Sequence, residues 1–272
     1  MTSVSVRDVS YRYEDGTLAL DSLSFDVAEG ERVAILGPNG AGKSTLFELL
    51  MGLQFPQKGS IQIMGEELNS KSAPRLRRLM GLVFQDPDDQ IFMPRVWDDV
   101  AFGPINMRLP EGVVRENVRK ALESTGLVGF DQRAPHRLSR GEKKRVAIAG
   151  VLAMEPKIVF LDEPTAELDP KGKRDLIRVL NGLHTTMLVA THEVQTALEI
   201  TDRAVVIDRT KLGEGTYPEL FSNPHLLERA SLDVPPIPKL FELLQNDGIS
   251  LGKPTSVDEA AEILRKALSR RS

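Results

Sequence analysis

Gly37-Pro38-Asn39-Gly40-Ala41-Gly42-Lys43-Ser44-Thr45 fits the pattern G-x-x-x-x-G-K-[ST], a loop whose backbone N–H groups wrap a polyphosphate. Before it, Val33-Ala34-Ile35-Leu36 is a short apolar run suited to a buried parallel strand. After it, Thr45-Leu46-Phe47-Glu48-Leu49-Leu50-Met51 has helical spacing. Strand, glycine-rich loop and helix N-terminus together make an anion site, because unpaired N–H groups and the helix dipole both face the ligand. A glycine-rich turn matching by chance would not carry both flanks. The stretch predicts an α/β chain that binds a nucleoside triphosphate.

The chain has 272 residues, enough for one large α/β domain with an appendage and a sizeable core. A formal net charge of −4 gives no electrostatic reason to expect nucleic acid. The lack of cysteine excludes disulfides and thiolate-held metal and suits a reducing cytosol. Met1-Thr2-Ser3-Val4 has neither a charged n-region nor an apolar h-region, so no signal peptide is expected. The longest apolar run, Val146 to Met154, falls far short of the ~18 residues that span a bilayer. Work at a membrane would need another subunit to hold the chain there.

Upstream of the loop, Val4-Ser5-Val6 and the stretch from Leu18 to Val27 alternate as edge antiparallel strands do. Between them, Tyr11-Arg12-Tyr13-Glu14-Asp15-Gly16 ends in a turn signal. A tyrosine here could stack on a purine ring; taken singly, either one reads more simply as a half-buried strand residue. Downstream, Gly59 to Gly65 reads as a short strand, and Leu79 to Phe84 as a core strand ending in Gln85-Asp86-Pro87-Asp88-Asp89-Gln90. Polar clusters at strand ends are where ligand-contacting loops sit in open α/β sheets. From Trp97 to about Leu127 the pattern is helical, with Pro104 and Pro110 as breaks. Glu111 to Ser124 forms one amphipathic helix whose charges fit a solvated face.

His136 to Glu142 is a polar turn opening into a helix from Lys143 to Met154, with Ser139 and Glu142 as a capping box. Lys157 to Thr165 is an apolar strand ending in Asp162 and Glu163. Paired acids at a strand end beside a phosphate loop suit Mg2+ binding and water activation; capping the next helix would account for one of them, hardly for both. Leu176, Leu180 and Leu183 mark a helix, and Thr186 to Ala190 a core strand followed by Thr191-His192-Glu193. A lone histidine is usually structural, but one at the end of a core strand in such a sheet is placed to face the ligand. Ala204 to Asp208 supplies the last strand of the main domain.

In order and spacing, these segments resemble the ATP-binding subunits of ABC transporters over roughly residues 3 to 225. Leu138-Ser139-Arg140-Gly141-Glu142 stands where that family carries its signature, usually Leu-Ser-Gly-Gly-Gln. The resemblance implies a P-loop core with a mostly parallel sheet, an antiparallel β subdomain and an α-helical signature subdomain at about 96–154. These would make an ATPase domain at 1–215, followed by a mostly helical extension at 216–272. ATP and Mg2+ are the implied cofactors. Gly37 to Thr45, which includes Pro38, Asn39, Gly40, Ala41 and Gly42, would be the Walker A loop, with Lys43 on the β- and γ-phosphates and Ser44 on the metal. Gln85 would reach the metal and the attacking water, and Asp162 would hold the metal. Glu163 would orient or deprotonate water, and His192 would touch the γ-phosphate. Asp169 falls in the D-loop, which communicates across a dimer. Tyr13 fits the adenine-stacking aromatic, which leaves Tyr11 for the core. Ser139, Arg140, Gly141 and Glu142 would cap the γ-phosphate from the opposite subunit.

Gln85 to Phe92, Trp97 to Asn106 and Glu142 to Met154 look like the energy-coupling-factor ATPases for cobalt or nickel. That group implies a homodimer or heterodimer of ATPase subunits driving a transmembrane coupling protein and a membrane substrate-binding subunit, from the cytoplasmic face. Arg140 departs from the usual glycine. It either adds charge to the phosphate cradle or crowds the dimer interface; in the second case the chain would be a regulatory ATP-binding module with weakened hydrolysis. In the extension, Leu232 to Pro238 reads as a hinge or strap, Lys239 to Gln245 as a short helix, and Ser256 to Glu259 as a capping box opening a helix to about Ser269. Its apolar stripe, Val257, Ala261, Leu264 and Leu268, needs a partner: the chain's own ATPase domain or a second subunit.

Overall fold

The alternating residues at the start of the chain form a half-buried antiparallel sheet in the computed structural model, which describes residues 1–249 and 251–269. In it, β1 (Thr2–Arg12) pairs with β2 (Leu18–Ala28). The chain then enters β3 (Arg32–Leu36), the phosphate-loop stretch and α1 (Lys43–Leu50), and returns through β4 (Lys58–Ile63) and the short β5 (Glu66–Glu67). The antiparallel sheet has the order β2-β1-β4-β5. Tyr11 lies inside β1 and is buried, as the core assignment requires.

After α2 (Ala73–Leu76) and β6 (Met80–Val83) come α3 (Val96–Asn106), α4 (Glu111–Ser124) and α5 (Arg140–Leu152). These three helices pack around a core of their own that includes Val100, Val118, Leu122, Leu127 and Val146. Pro104 does not break α3 as expected. It sits in the last turn with its ring buried, where the lost N–H costs one bond near a helix end and the chain then turns at Met107.

β7 (Ile158–Asp162), α6 (Pro170–Asn181), β8 (Thr186–Thr191), α7 (Val194–Ile200), β9 (Arg203–Asp208) and β10 (Thr210–Thr216) complete the second sheet. Its order is β10-β9-β3-β8-β7-β6, parallel throughout except for the β9–β10 hairpin. All six residues of β8 are buried, which is why it reads as a continuous apolar run rather than an alternation. β10 extends the sheet past the expected last strand. Its two internal glycines and exposed side chains carry no strand pattern, and backbone pairing to β9 holds it.

The extension begins with α8 (Tyr217–Phe221) and α9 (Pro224–Arg229), whose Tyr217, Leu220 and Leu227 pack with Leu36 and Val206 of the sheet. Then follow α10 (Pro236–Asn246) and α11 (Val257–Ser269). Pro236 and Pro238, expected in an irregular strap, form the first turn of α10. First-turn N–H groups have no intrahelical acceptor, so proline is tolerated there. Ser256 Oγ accepts from the Glu259 N–H, but the Glu259 carboxylate turns to the Thr255 N–H instead of closing the box. Val257, Leu264 and Leu268 stay exposed, so among the described residues the chain's own core does not cover that stripe.

Candidate nucleotide site

β3, β8 and β7 are neighbours and run parallel, so their C-terminal ends come out side by side. Each delivers one part of the site. β3 leads into the phosphate loop, β7 ends in Asp162 and Glu163, and β8 ends at Thr191 before His192. Backbone bonds stitch the three ends together: Gly37 N–H donates to the Thr191 carbonyl at 3.4 Å, and Glu163 N–H to the Ala190 carbonyl at 2.9 Å.

The loop is shaped by close approach. Gly42 caps α1 in a left-handed conformation, φ +94°, and a Cβ there would lie 2.5 Å from the Ala19 carbonyl oxygen. The Lys43 side chain curls back, and its ammonium donates to the Gly37 carbonyl at 2.8 Å and the Pro38 carbonyl at 3.0 Å. Pro38, Asn39, Gly40 and Ser44 lie at or near the surface, whereas Ala41 and Thr45 are buried. Tyr13 is exposed and its hydroxyl shares a 2.6 Å hydrogen bond with the Thr45 hydroxyl, which fixes the ring beside the start of α1. Tyr11 meets it edge-on at 5.3 Å.

Glu163 is 7% exposed and densely held. Its carboxylate accepts from the Thr191 hydroxyl at 2.9 Å and the His192 N–H at 3.1 Å, with His192 Nδ1 at 2.9 Å and the Lys43 ammonium at 3.6 Å. Lys43, Glu163 and His192 are thus one cluster. Asp162 is different. Burial pushes its pKa up while the Ser44 hydroxyl pulls it down, and its Oδ1 is buried without a hydrogen-bond partner. An unsatisfied carboxylate oxygen next to a serine hydroxyl and a phosphate loop fits Mg2+, which takes one or two protein oxygens and completes its shell from phosphate and water.

Gln85 sits exposed just past β6. Its backbone is firmly held. The fully buried Lys144 donates to the Phe84 carbonyl at 3.0 Å and the Gln85 carbonyl at 2.5 Å. Burial, aided by the nearby Arg140 charge, pushes the Lys144 pKa down to about 8. Lys143 pairs with Asp88 at 2.6 Å. Sequence reasoning missed both anchors, although an acidic run at 86–89 facing basic residues at 140–145 was the available signal.

At the signature, the expected capping box is present: Ser139 N–H donates to the Glu142 carboxylate at 2.8 Å, and Glu142 N–H to Ser139 Oγ at 3.3 Å. Arg140 points to Asp86 and Glu167 of its own chain, at 3.4 Å and 3.0 Å. Gly141 faces the turn that carries Asp169, which caps α6 by accepting from the Gly172 N–H at 2.7 Å. Among the described residues, no hydrogen bond or ion pair joins Ser139–Glu142 to Gly37–Thr45. The chain brings together its loop, carboxylates and histidine, and holds its signature elsewhere.

Residues 20–166, more than half of the chain, match the family model described as ABC transporter. The chain is 42% identical over 277 residues to the energy-coupling factor transporter ATP-binding protein EcfA of Methanoculleus marisnigri, covering 100% of both. Its fold is similar to that of CbiO1 from Clostridium perfringens, described as part of the ABC transporter complex CbiONQ (TM-score 0.77, 38% identity, 90% of this chain and 99% of that one). It is also similar to a dimeric ATP-binding cassette bound to ADP and Pi, at TM-score 0.70 and 27% identity, over 78% of this chain and 98% of the other. The buried strand ends, the phosphate loop and these likenesses agree: the chain belongs to the ABC transporter family, as an ATP-hydrolysing, ATP-binding subunit of the energy-coupling-factor type.

Proposed function

We propose that two such subunits, identical or closely related, close head to tail around two ATP molecules and drive a membrane coupling protein in import. One observation carries this reading. Lys43, Glu163 and His192 converge at three adjacent strand ends, while Ser139–Glu142 is a preformed helix N-terminus that, among the described residues, has no hydrogen bond or ion pair to that cluster. A helix start with free N–H groups is an anion site, and a second subunit can bring it to the γ-phosphate. The dimeric state of the similar cassette bound to ADP and Pi supports the pairing of two subunits.

In this reading the loop amides and Lys43 hold the phosphates, and Tyr13 stacks on the adenine. Asp162, Ser44 and Gln85 hold Mg2+, which when bound supplies charge neutralisation on the phosphate oxygens. Glu163, oriented by Thr191 and His192, takes up or steers the proton of the attacking water, and His192 faces the γ-phosphate. Asp169 and the turn before it lie toward the partner. The rate comes from positioning and electrostatics, with no covalent intermediate on the protein.

The membrane side is supported by an apolar groove of about 570 Å³ next to Gln85, lined among others by Leu53, Phe84, Phe92, Phe102 and Met107. Phe92 is 63% exposed and meets Phe102 edge-on at 4.9 Å. No helix among the described residues is long and apolar enough to cross a membrane, so an exposed aromatic groove is the natural seat for a segment of the coupling protein. The resemblance of residues 85–92, 97–106 and 142–154 to the cobalt or nickel group supports a transition-metal ion as the transported substrate. Phe102→Glu is expected to abolish co-purification with the membrane subunits while leaving ATP binding within about twofold, because the charge enters the groove and not the nucleotide site. Unchanged co-purification would count against the groove; mass spectrometry of what co-purifies with the wild type identifies the transporter.

A further inference from the structure

The connection from β7 to α6, residues 163–169, is strained at two points. Glu163 has φ +41° and Glu167 φ +61°, left-handed values that side chains other than glycine adopt at a conformational cost. Such a turn holds its shape only where neighbours over-determine it. Glu163 is fixed by Thr191, His192 and Lys43. Glu167 is exposed, and its one charged contact among the described residues is Arg140 at 3.0 Å. The same guanidinium reaches Asp86, next to Gln85, at 3.4 Å.

We infer that Arg140 is a positioning residue that ties the turn carrying Glu163 to the segment carrying Gln85 and to the start of α5, all within one chain. This rests on the reading of Glu163 as the water-steering carboxylate. The guanidinium is a planar fork that can serve two carboxylates at once, which a lysine ammonium does less well. Its Nε is buried, with no hydrogen-bond partner among the described residues, which places the inner part of the guanidinium inside the cleft. Glycine at position 140 would leave Glu167 and Asp86 repelling each other across that cleft. The departure from the usual signature therefore supports hydrolysis and does not weaken it. Lys144 and Lys143, which hold Phe84, Gln85 and Asp88, tie α5 to the Gln85 segment on the other side of the same cleft.

Hydrogen–deuterium exchange on the full-length protein tests the tie directly. Arg140→Gln should speed exchange of the amides at 165–169 by about two- to fivefold, the range expected for partly exposed ion pairs. Lys143→Gln, whose partner is Asp88, should leave that turn at the wild-type rate. In ATPase assays, Arg140→Gln and Glu167→Gln should each lower kcat by about two- to fivefold with KM for ATP unchanged, and the double variant should be no worse than either single one. Arg140→Lys should recover part of the loss. Unchanged exchange at 165–169, additive losses in the double variant, or faster hydrolysis by Arg140→Gly would each overturn the proposal. Brisk hydrolysis by Glu163→Gln would instead overturn the role of Glu163, a failure that the exchange measurement separates from failure of the tie.

Discussion

Glu163→Gln is expected to reduce steady-state ATP hydrolysis by about 10²- to 10⁴-fold, the range carried by a positioned general base, with ATP binding preserved. The amide has nearly the volume of the carboxylate; its oxygen can keep the His192 N–H that Oε1 accepts, and its NH2, in place of Oε2, can donate to the Thr191 hydroxyl oxygen, so the buried cluster keeps its shape. What it loses is the negative charge that accepts a proton from water and that faces the Lys43 ammonium at 3.6 Å. Removing that charge also frees Lys43 to interact more fully with phosphate. The variant should therefore accumulate as an ATP-bound dimer. Phosphate release in single- and multiple-turnover assays, together with light scattering in the presence of ATP, measures both halves of the expectation. Turnover near the wild-type rate would remove Glu163 from the mechanism.

Gly42→Ala should be strongly damaging to the phosphate loop. The new methyl group faces a double penalty: φ +94° is unfavourable for any residue with a Cβ, and that Cβ would press on the Ala19 carbonyl oxygen at 2.5 Å and on the Leu20 side chain at 2.7 Å. Strain and overpacking together predict a loss of about 2–4 kcal/mol in folding stability and a displaced loop that binds ATP poorly. Gly40→Ala separates the two causes. Gly40 also has a positive φ, +80°, but open space surrounds its Cβ position, so only the backbone cost of about 1 kcal/mol applies. Thermal unfolding and fluorescent-nucleotide titration of both variants provide the comparison. Equal effects would mean that contact with Ala19 and Leu20 plays no part.

Much of the fold was legible because its signals are local. The helix Glu111–Ser124 falls where its periodicity ends, and the capping box at Ser139 and Glu142 forms as the four-residue pattern predicts. The prolines misled twice, each time as expected breaks that a helix accommodates. Proline penalises helix interiors but not first turns, so Pro236 and Pro238 open α10, and Pro104 is carried inside α3 near its end, where packing outweighs one missing bond. β10 has no side-chain signal because its partner is the neighbouring strand's backbone.

From the amino-acid order alone come the phosphate loop between strand and helix, the two acids after an apolar run, the histidine after another, and their likeness to a known family. These are readings of adjacent residues, and local chemistry suffices for them. Whether Glu163, His192 and Lys43 meet depends on β3, β8 and β7 lying side by side and parallel, a sheet order that pairs strands more than a hundred residues apart in the chain. The structure likewise decided what Arg140 touches. Read in the chain, it is a misfit in a signature motif; in space, it stands between Asp86 and Glu167, two carboxylates that only the packing of α5 against both loops brings within reach of one guanidinium.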